Sequence, residues 1–150
     1  MQYVIPYSLF PCAPDVAFPA GHTARRPVLQ LEIVNGANRL PCYAIVDSGA
    51  DHCTFPLSFA LQLGLDPLKK TPASCIGVGN ASVSIFYWDI TLDFGPIRFE
   101  AYAGFTPGLE AQGLGLLGQC GFFDRLKKIV FDHQGGVFHL ETSEVVAAAT

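Results

Sequence analysis

The stretch Ala44-Ile45-Val46-Asp47-Ser48-Gly49-Ala50-Asp51 carries an apolar strand straight into an acid, a hydroxyl and a glycine. A strand rich in Ile and Val is buried on at least one face, so an ionised Asp at its end must be paired, hydrogen-bonded or put to chemical use. Gly49 lets the backbone turn sharply and leaves room for another backbone or a substrate to come close. The plainer alternative is a strand ending in a turn, with Asp47 and Ser48 bonding their own backbone.

Other chemistries find less support. His52 and Cys53 are adjacent and point to opposite faces of an extended chain, so they make no Cys-His dyad, and Cys53 reads as a small core residue. His22, His133 and His139 lack ligand spacing, and the five cysteines (Cys12, Cys42, Cys53, Cys75, Cys120) are odd in number with no C-x-x-C pair. Neither a metal, a cofactor nor a disulfide framework is expected, and a reducing compartment fits best. There is no Gly-x-Ser-x-Gly elbow and no phosphate loop.

A net charge of −4, with no basic run beyond Arg25-Arg26 and Lys127-Lys128, argues against nucleic acid. The first residues show no basic segment leading into a long apolar core, and no later run approaches a membrane span. The expectation is a soluble, cytoplasmic protein without a membrane partner. Asn80-Ala81-Ser82 is formally a glycosylation sequon that carries little weight in that setting.

The elements that must position Asp47 follow from strand and turn signals. Val28–Val34 and Leu40–Val46 are strands joined at Asn35-Gly36, and this hairpin aims the carboxylate. Cys53-Thr54-Phe55 is a short strand, and 56–64, with Pro near the start and Gly at the end, is a short helix. Its Leu57, Ala60, Leu61 and Gly64 are expected to face the core. Residues 71–103 read as strands interrupted by hairpin turns at Ile76-Gly77-Val78-Gly79-Asn80 and Asp93-Phe94-Gly95-Pro96. A loop over 105–113 precedes the glycine-punctuated run Leu114-Gly115-Leu116-Leu117-Gly118, a helix is expected over 119–126, and a last hairpin turns at 133–136.

The chain divides as a Pro-rich extended arm over 1–27, opening with a short strand at Tyr3-Val4-Ile5, one domain over 28–142, and a frayed tail over 143–150. Half the residues are hydrophobic and only 15% are charged. That is much apolar side chain for a small monomer to hide, and a subunit interface is the natural outlet.

The order of these parts resembles the retropepsin family, the single-domain relatives of pepsin, and especially its bacterial members. The resemblance rests on a hairpin leading into Asp47-Ser48-Gly49-Ala50, a glycine-bearing hairpin about thirty positions later, and Leu116-Leu117-Gly118 after that. It implies an all-β fold, a closed or partly open barrel with one or two short helices, in a homodimer. It also implies an aspartic endopeptidase acting on extended peptide or protein segments, with Asp47 as the catalytic carboxylate. Hydrolysis without a metal or covalent nucleophile needs one carboxylate to take a proton from water and a second, protonated, to polarise the carbonyl. The chain holds a single Asp-Ser/Thr-Gly, so Asp47 would meet Asp47 of a second copy across a two-fold axis.

By the same resemblance, Ser48 bonds across the interface, Gly49 faces the substrate backbone and Asp51 anchors the substrate main chain. The hairpin Ile76, Gly77, Val78, Gly79 and Asn80 is the flap, and Leu116, Leu117 and Gly118 pack behind the catalytic loop. One departure stands out: many relatives carry Arg after the hydrophobic-hydrophobic-Gly element, and this chain has Gln119. The competing class is a dimerising or peptide-binding module that keeps the fold without turnover.

Overall fold

Alternation of apolar and polar residues along the first hairpin sets the architecture. The computed structural model describes residues 1–143, the Val78 side chain apart. Strands β1 (Gln2–Pro6), β2 (Ser8–Cys12) and β3 (His22–Arg26) precede β4 (Val28–Asn35) and β5 (Asn38–Val46). In β4 and β5 the side chains of Leu29, Leu31 and Ile33, then Cys42, Ala44 and Val46, turn inward, while Gln30 and Tyr43 face out. The turn between them uses Gly36 at φ +60°, a conformation that favours glycine.

β6 (Thr54–Pro56) runs into helix α1 (Leu57–Gln62); β7 (Ala73–Ile76), β8 (Ser82–Asp93) and β9 (Arg98–Thr106) follow. β10 (Gly115–Leu117), β11 (Lys128–Asp132) and β12 (Val137–Glu141) complete the described chain. One sheet has the order β4-β5-β10-β6-β9-β8-β7, and β4 also pairs with β8, so the sheet closes on itself as a barrel. Among the described residues the fold is thus all-β, a closed barrel with one short helix. β1 joins β12 and β11 in a three-stranded sheet, and β2 pairs with β3 in a separate two-stranded ribbon.

Phe55, Phe105, Phe122 and Phe138 fill the interior with Ile33, Leu63, Leu92 and Leu117, all fully buried or nearly so. Each such side chain contributes roughly 1.5–3 kcal/mol by leaving water. Phe55 and Phe105 lie 5.7 Å apart between ring centres, on the paired strands β6 and β9. Gly115 admits this packing, because a Cβ there would run into the Phe55 ring.

In the arm, the β2–β3 ribbon goes beyond the single short strand expected there, and three details of the rest of the chain depart from the sequence expectation. Leu61 is exposed rather than facing the core, and Leu63 is buried in its place. The helix stops at Gln62, and the chain reverses through Gly64 at φ +75° with bonds from Gly64 N–H to Leu61 O and from Leu65 N–H to Ala60 O. That double cap swings Leu63 inward. Second, 119–126 forms only a 3₁₀ turn at Phe123–Arg125, because Gly121 sits at φ +100° against Ala101 and Cys53. Third, β9 continues through Thr106, so the loop expected from 105 opens at Pro107. The tail over 144–150 lies outside the described residues.

Candidate active site

Asp47 follows directly on β5, and the neighbouring strand holds its backbone from the side. β10 runs parallel to β5 with Leu117 opposite Val46, and the Asp47 N–H donates to the Leu117 carbonyl at 3.0 Å. Val46 N–H donates to the Pro27 carbonyl at 2.8 Å, so the last residue before the acid is pinned as well. A tight turn follows: Gly49 N–H donates to Asp47 Oδ1 at 2.9 Å, and Ala50 N–H to the Asp47 carbonyl at 3.2 Å. A Cβ on Gly49 would sit 3.2 Å from that carboxylate oxygen, closer than a neighbour comfortably tolerates. Oδ2 of Asp47 has no hydrogen-bond partner among the described residues. Asp47 and Ala50 are half-buried; Ser48, Gly49 and Asp51 are exposed.

Leu116, Leu117 and Gly118 lie immediately beside this loop. Leu117 is fully buried and Leu116 half-buried, paired with Ile45 on one side and Thr54 on the other. Gly118 is the close-approach point: a Cβ there would lie 2.6 Å from the Ala50 carbonyl oxygen and nearer still to that of His52. From Gly118 onward the chain stitches the loop in place, with Gln119 N–H to Ala50 O at 2.8 Å and Cys120 N–H to Asp51 O at 2.9 Å. Cys53 N–H returns to Cys120 O at 3.2 Å. The Gln119 side chain adds a fourth tie, its Nε2 donating to the Ser48 carbonyl at 2.7 Å. Gln119 therefore spends its amide on the loop backbone, and Asp51 forms no ion pair among the described residues.

The hairpin carrying Ile76, Gly77, Gly79 and Asn80 projects from the β7–β8 end of the sheet. Residues around its tip are exposed, Ile76 at 69%. Gly79 and Asn80 both take the left-handed conformation, at φ +84° and +58°, and Gly77 N–H closes the tip on Ala81 O. No hydrogen bond among the described residues joins this hairpin to the 47–51 loop.

Register alone brings together a cluster that the sequence does not advertise. His52 lies edge-on to Tyr87 at 5.6 Å, and Tyr87 stacks on Tyr102 at 5.2 Å. Gly104, opposite Tyr87 in the β8–β9 ladder, makes room, since a Cβ there would collide with Ile85 and approach Tyr87 at 3.2 Å. Burial pushes the Tyr87 hydroxyl pKa up, with Cys75, Tyr102 and Asp51 adding smaller pushes. Tyr87 and Tyr102 come from β8 and β9 and His52 from the segment between the acid loop and β6, so no spacing rule finds them; a His directly after the acid loop is the one available hint.

Asp93 and Asp132 are engaged elsewhere. Asp93 accepts from Gly95 N–H at 2.9 Å and from Arg39 at 2.8 Å, with Arg98 at 3.6 Å. The Gly95 bond above all, with Arg39 and Arg98 adding to it, holds its carboxyl below the usual range. Asp132 caps its own turn through Gly135 N–H at 2.7 Å. A surface concavity of about 690 Å³ has Gln30, Glu32, Arg39 and Asp93 among its lining, and the charges on that lining satisfy one another. No group of His, Cys, Asp and Glu able to hold a metal ion occurs among the described residues, and no helix among them is long and apolar enough to cross a membrane.

Comparison with known proteins agrees with this geometry. The family model described as Aspartyl protease matches residues 30–119, more than half of the chain, from β4 through Gln119. No curated protein matches. The crystal structure of a retropepsin-like aspartic protease from Rickettsia conorii superposes with a TM-score of 0.62 at 15% identity, covering 93% of this chain and 98% of that one. At that identity the likeness speaks for the fold, and the family model speaks for the lineage: the chain belongs to the aspartyl protease family and is built on the retropepsin-like fold.

Proposed function

We propose that the protein is an aspartic endopeptidase whose dyad is Asp47 together with Asp47 of a second copy. The observation that carries this reading is the state of the Asp47 carboxylate. Its backbone is locked between β5 and β10, one oxygen is held by Gly49, and the other is left without a donor at a partly open surface. A capping Asp needs no such support from a second strand. The sequence offers no second Asp-Ser/Thr-Gly, so the other carboxylate must come from another chain.

In the dimer one carboxylate takes a proton from water, whose oxygen attacks the scissile carbonyl carbon, while the protonated partner donates to the carbonyl oxygen. Collapse of the tetrahedral species breaks the C–N bond, and a dyad proton goes to the leaving amine. Two carboxyl groups held this close share one proton because both cannot ionise. Gly49 and Asp51 meet the extended peptide backbone and Ser48 bonds across the interface; the exposure of all three on the loop supports these roles. The Ile76–Asn80 tip, Val78 included, acts as the flap; its glycines and exposure support that role. Leu116, Leu117 and Gly118 fix the loop from behind.

The direct test compares cleavage of unstructured peptides by the wild-type protein and its Asp47→Asn variant across mildly acidic to neutral pH. Loss of about 10²–10⁴-fold in kcat/KM is expected for removing a group that transfers the proton. Equal cleavage by both proteins ends the assignment.

A further inference from the structure

The β2–β3 ribbon has no third strand, and the hydrogen bond that joins it to the larger sheets is that from Arg25 Nη1 to the His133 carbonyl at 3.1 Å, in the turn between β11 and β12. Two strands alone are marginal in water, and a ribbon of this kind needs something to pack on. It nevertheless carries Leu9 at 64% exposure, and the loop joining its two strands carries Val16 at 100% and Phe18 at 50%. These side chains sit on ordered backbone. Phe18 N–H bonds Asp15 Oδ1 at 2.7 Å, Gly21 N–H bonds Phe18 O at 2.8 Å, and the Phe18 ring lies 4.3 Å from that of His22. At the base, the Arg26 guanidinium lies over Phe10 at 4.8 Å.

Position decides what this surface is for. The ribbon leaves the barrel at Arg26, and the next residue, Pro27, accepts the Val46 N–H at 2.8 Å, directly beside Asp47. If two Asp47 carboxylates meet, the base of the ribbon lies beside the two-fold axis. A five-residue strand spans roughly 17 Å, which brings the second copy within the ribbon's reach. Charge agrees: the ribbon and its loop hold Arg25 and Arg26 against Asp15 alone, in a chain of net charge −4.

We propose that the β2–β3 ribbon is an inter-subunit clasp, with Leu9, Val16 and Phe18 packing on the second copy of this chain. The proposal rests on the dimeric reading of the site. It accounts for three exposed apolar side chains on a well-formed ribbon, and it makes the 8–26 segment part of what completes the active site.

Sedimentation equilibrium of the wild-type protein and of the Leu9→Ser, Val16→Ser, Phe18→Ser triple variant tests it. The altered side chains are solvent-exposed in the single chain, so the fold is expected to survive. The dimer Kd should rise about tenfold or more, as loss of apolar anchors does in other interfaces. Hydrogen exchange on the unaltered protein provides a second readout: amides of 13–21 should exchange more slowly at dimer-forming concentration than after dilution. A dimer whose Kd is unmoved by the variant, or whose ribbon amides are indifferent to concentration, overturns the clasp and leaves the shared dyad standing. A wild-type protein that cleaves peptide as a monomer overturns the dyad reading itself, and the clasp with it.

Discussion

Gln119 and Ser48 lie 71 positions apart in sequence, and the Gln119 side-chain amide donates to the Ser48 carbonyl at 2.7 Å. The bond ties the crown of the acid loop to the segment just beyond β10, the strand that supports it. Gln119→Ala should cost about 1 kcal/mol of stability, the usual worth of one such bond. Its larger effect should fall on turnover, about tenfold in kcat, because a loosened loop misplaces the carboxylate. Peptide kinetics beside a thermal melt separate the two effects. Wild-type turnover in the variant would show that the bond has no role in positioning.

Gly118→Ala and Gly77→Ala form a contrasting pair. At Gly118 a Cβ meets two backbone carbonyl oxygens that cannot move without moving the loop. About 3 kcal/mol or more of destabilisation is expected. At Gly77 nothing lies within 4 Å of the added atom and φ is −100°, so stability should change by less than about 0.5 kcal/mol. Urea denaturation of both variants checks the difference.

Asp93 gives the fold a defined acid limb. Its folded pKa lies below the unfolded value, held down by Gly95 N–H first and then by Arg39. A depressed carboxylate contributes stability above the unfolded pKa of about 3.9 and loses it as pH falls through the folded value. The stability gap between wild type and Asp93→Asn should therefore be constant near neutrality and narrow below about pH 4. Urea midpoints across that range measure it; a gap that widens in acid would reverse the sign.

The thiols should divide by burial. Burial pushes Cys42 up to about 12 and Cys53 up to about 11, whereas Cys75 and Cys120 are exposed. A thiolate-selective reagent at neutral pH should modify Cys75 and Cys120 in the folded protein and reach Cys42 and Cys53 only after denaturation. Peptide mapping after timed labelling reads this out.

Much of this architecture was legible because local signals agree with it. The Asn35-Gly36 turn, the alternation through β4 and β5 and the two interruptions in 71–103 all lie where the ladders place them. The acid loop and its supporting Leu116-Leu117-Gly118 are contiguous motifs, readable without a fold. Failures arose where geometry beyond the local pattern decides. Leu61 and Leu63 exchange places because of one glycine cap, and Gly121 stops a helix at a contact with Ala101 that no window of sequence contains. Strand β2 was hidden by Pro11, tolerated because its ribbon has only edges. The Gln119 anchor and the His52, Tyr87 and Tyr102 cluster depend on cross-strand register, which the order of residues does not reveal.

The claim that Asp47 supplies half of a shared site is tested most directly by subunit mixing. Wild-type protein at fixed concentration is incubated with increasing Asp47→Asn variant until subunits exchange, and peptide cleavage is followed. With a dyad built from both copies, a tenfold excess of variant leaves about a tenth of the wild-type chains paired with one another, and activity should fall to about that level. Activity independent of the added variant, in subunits shown to have exchanged, would contradict the shared dyad.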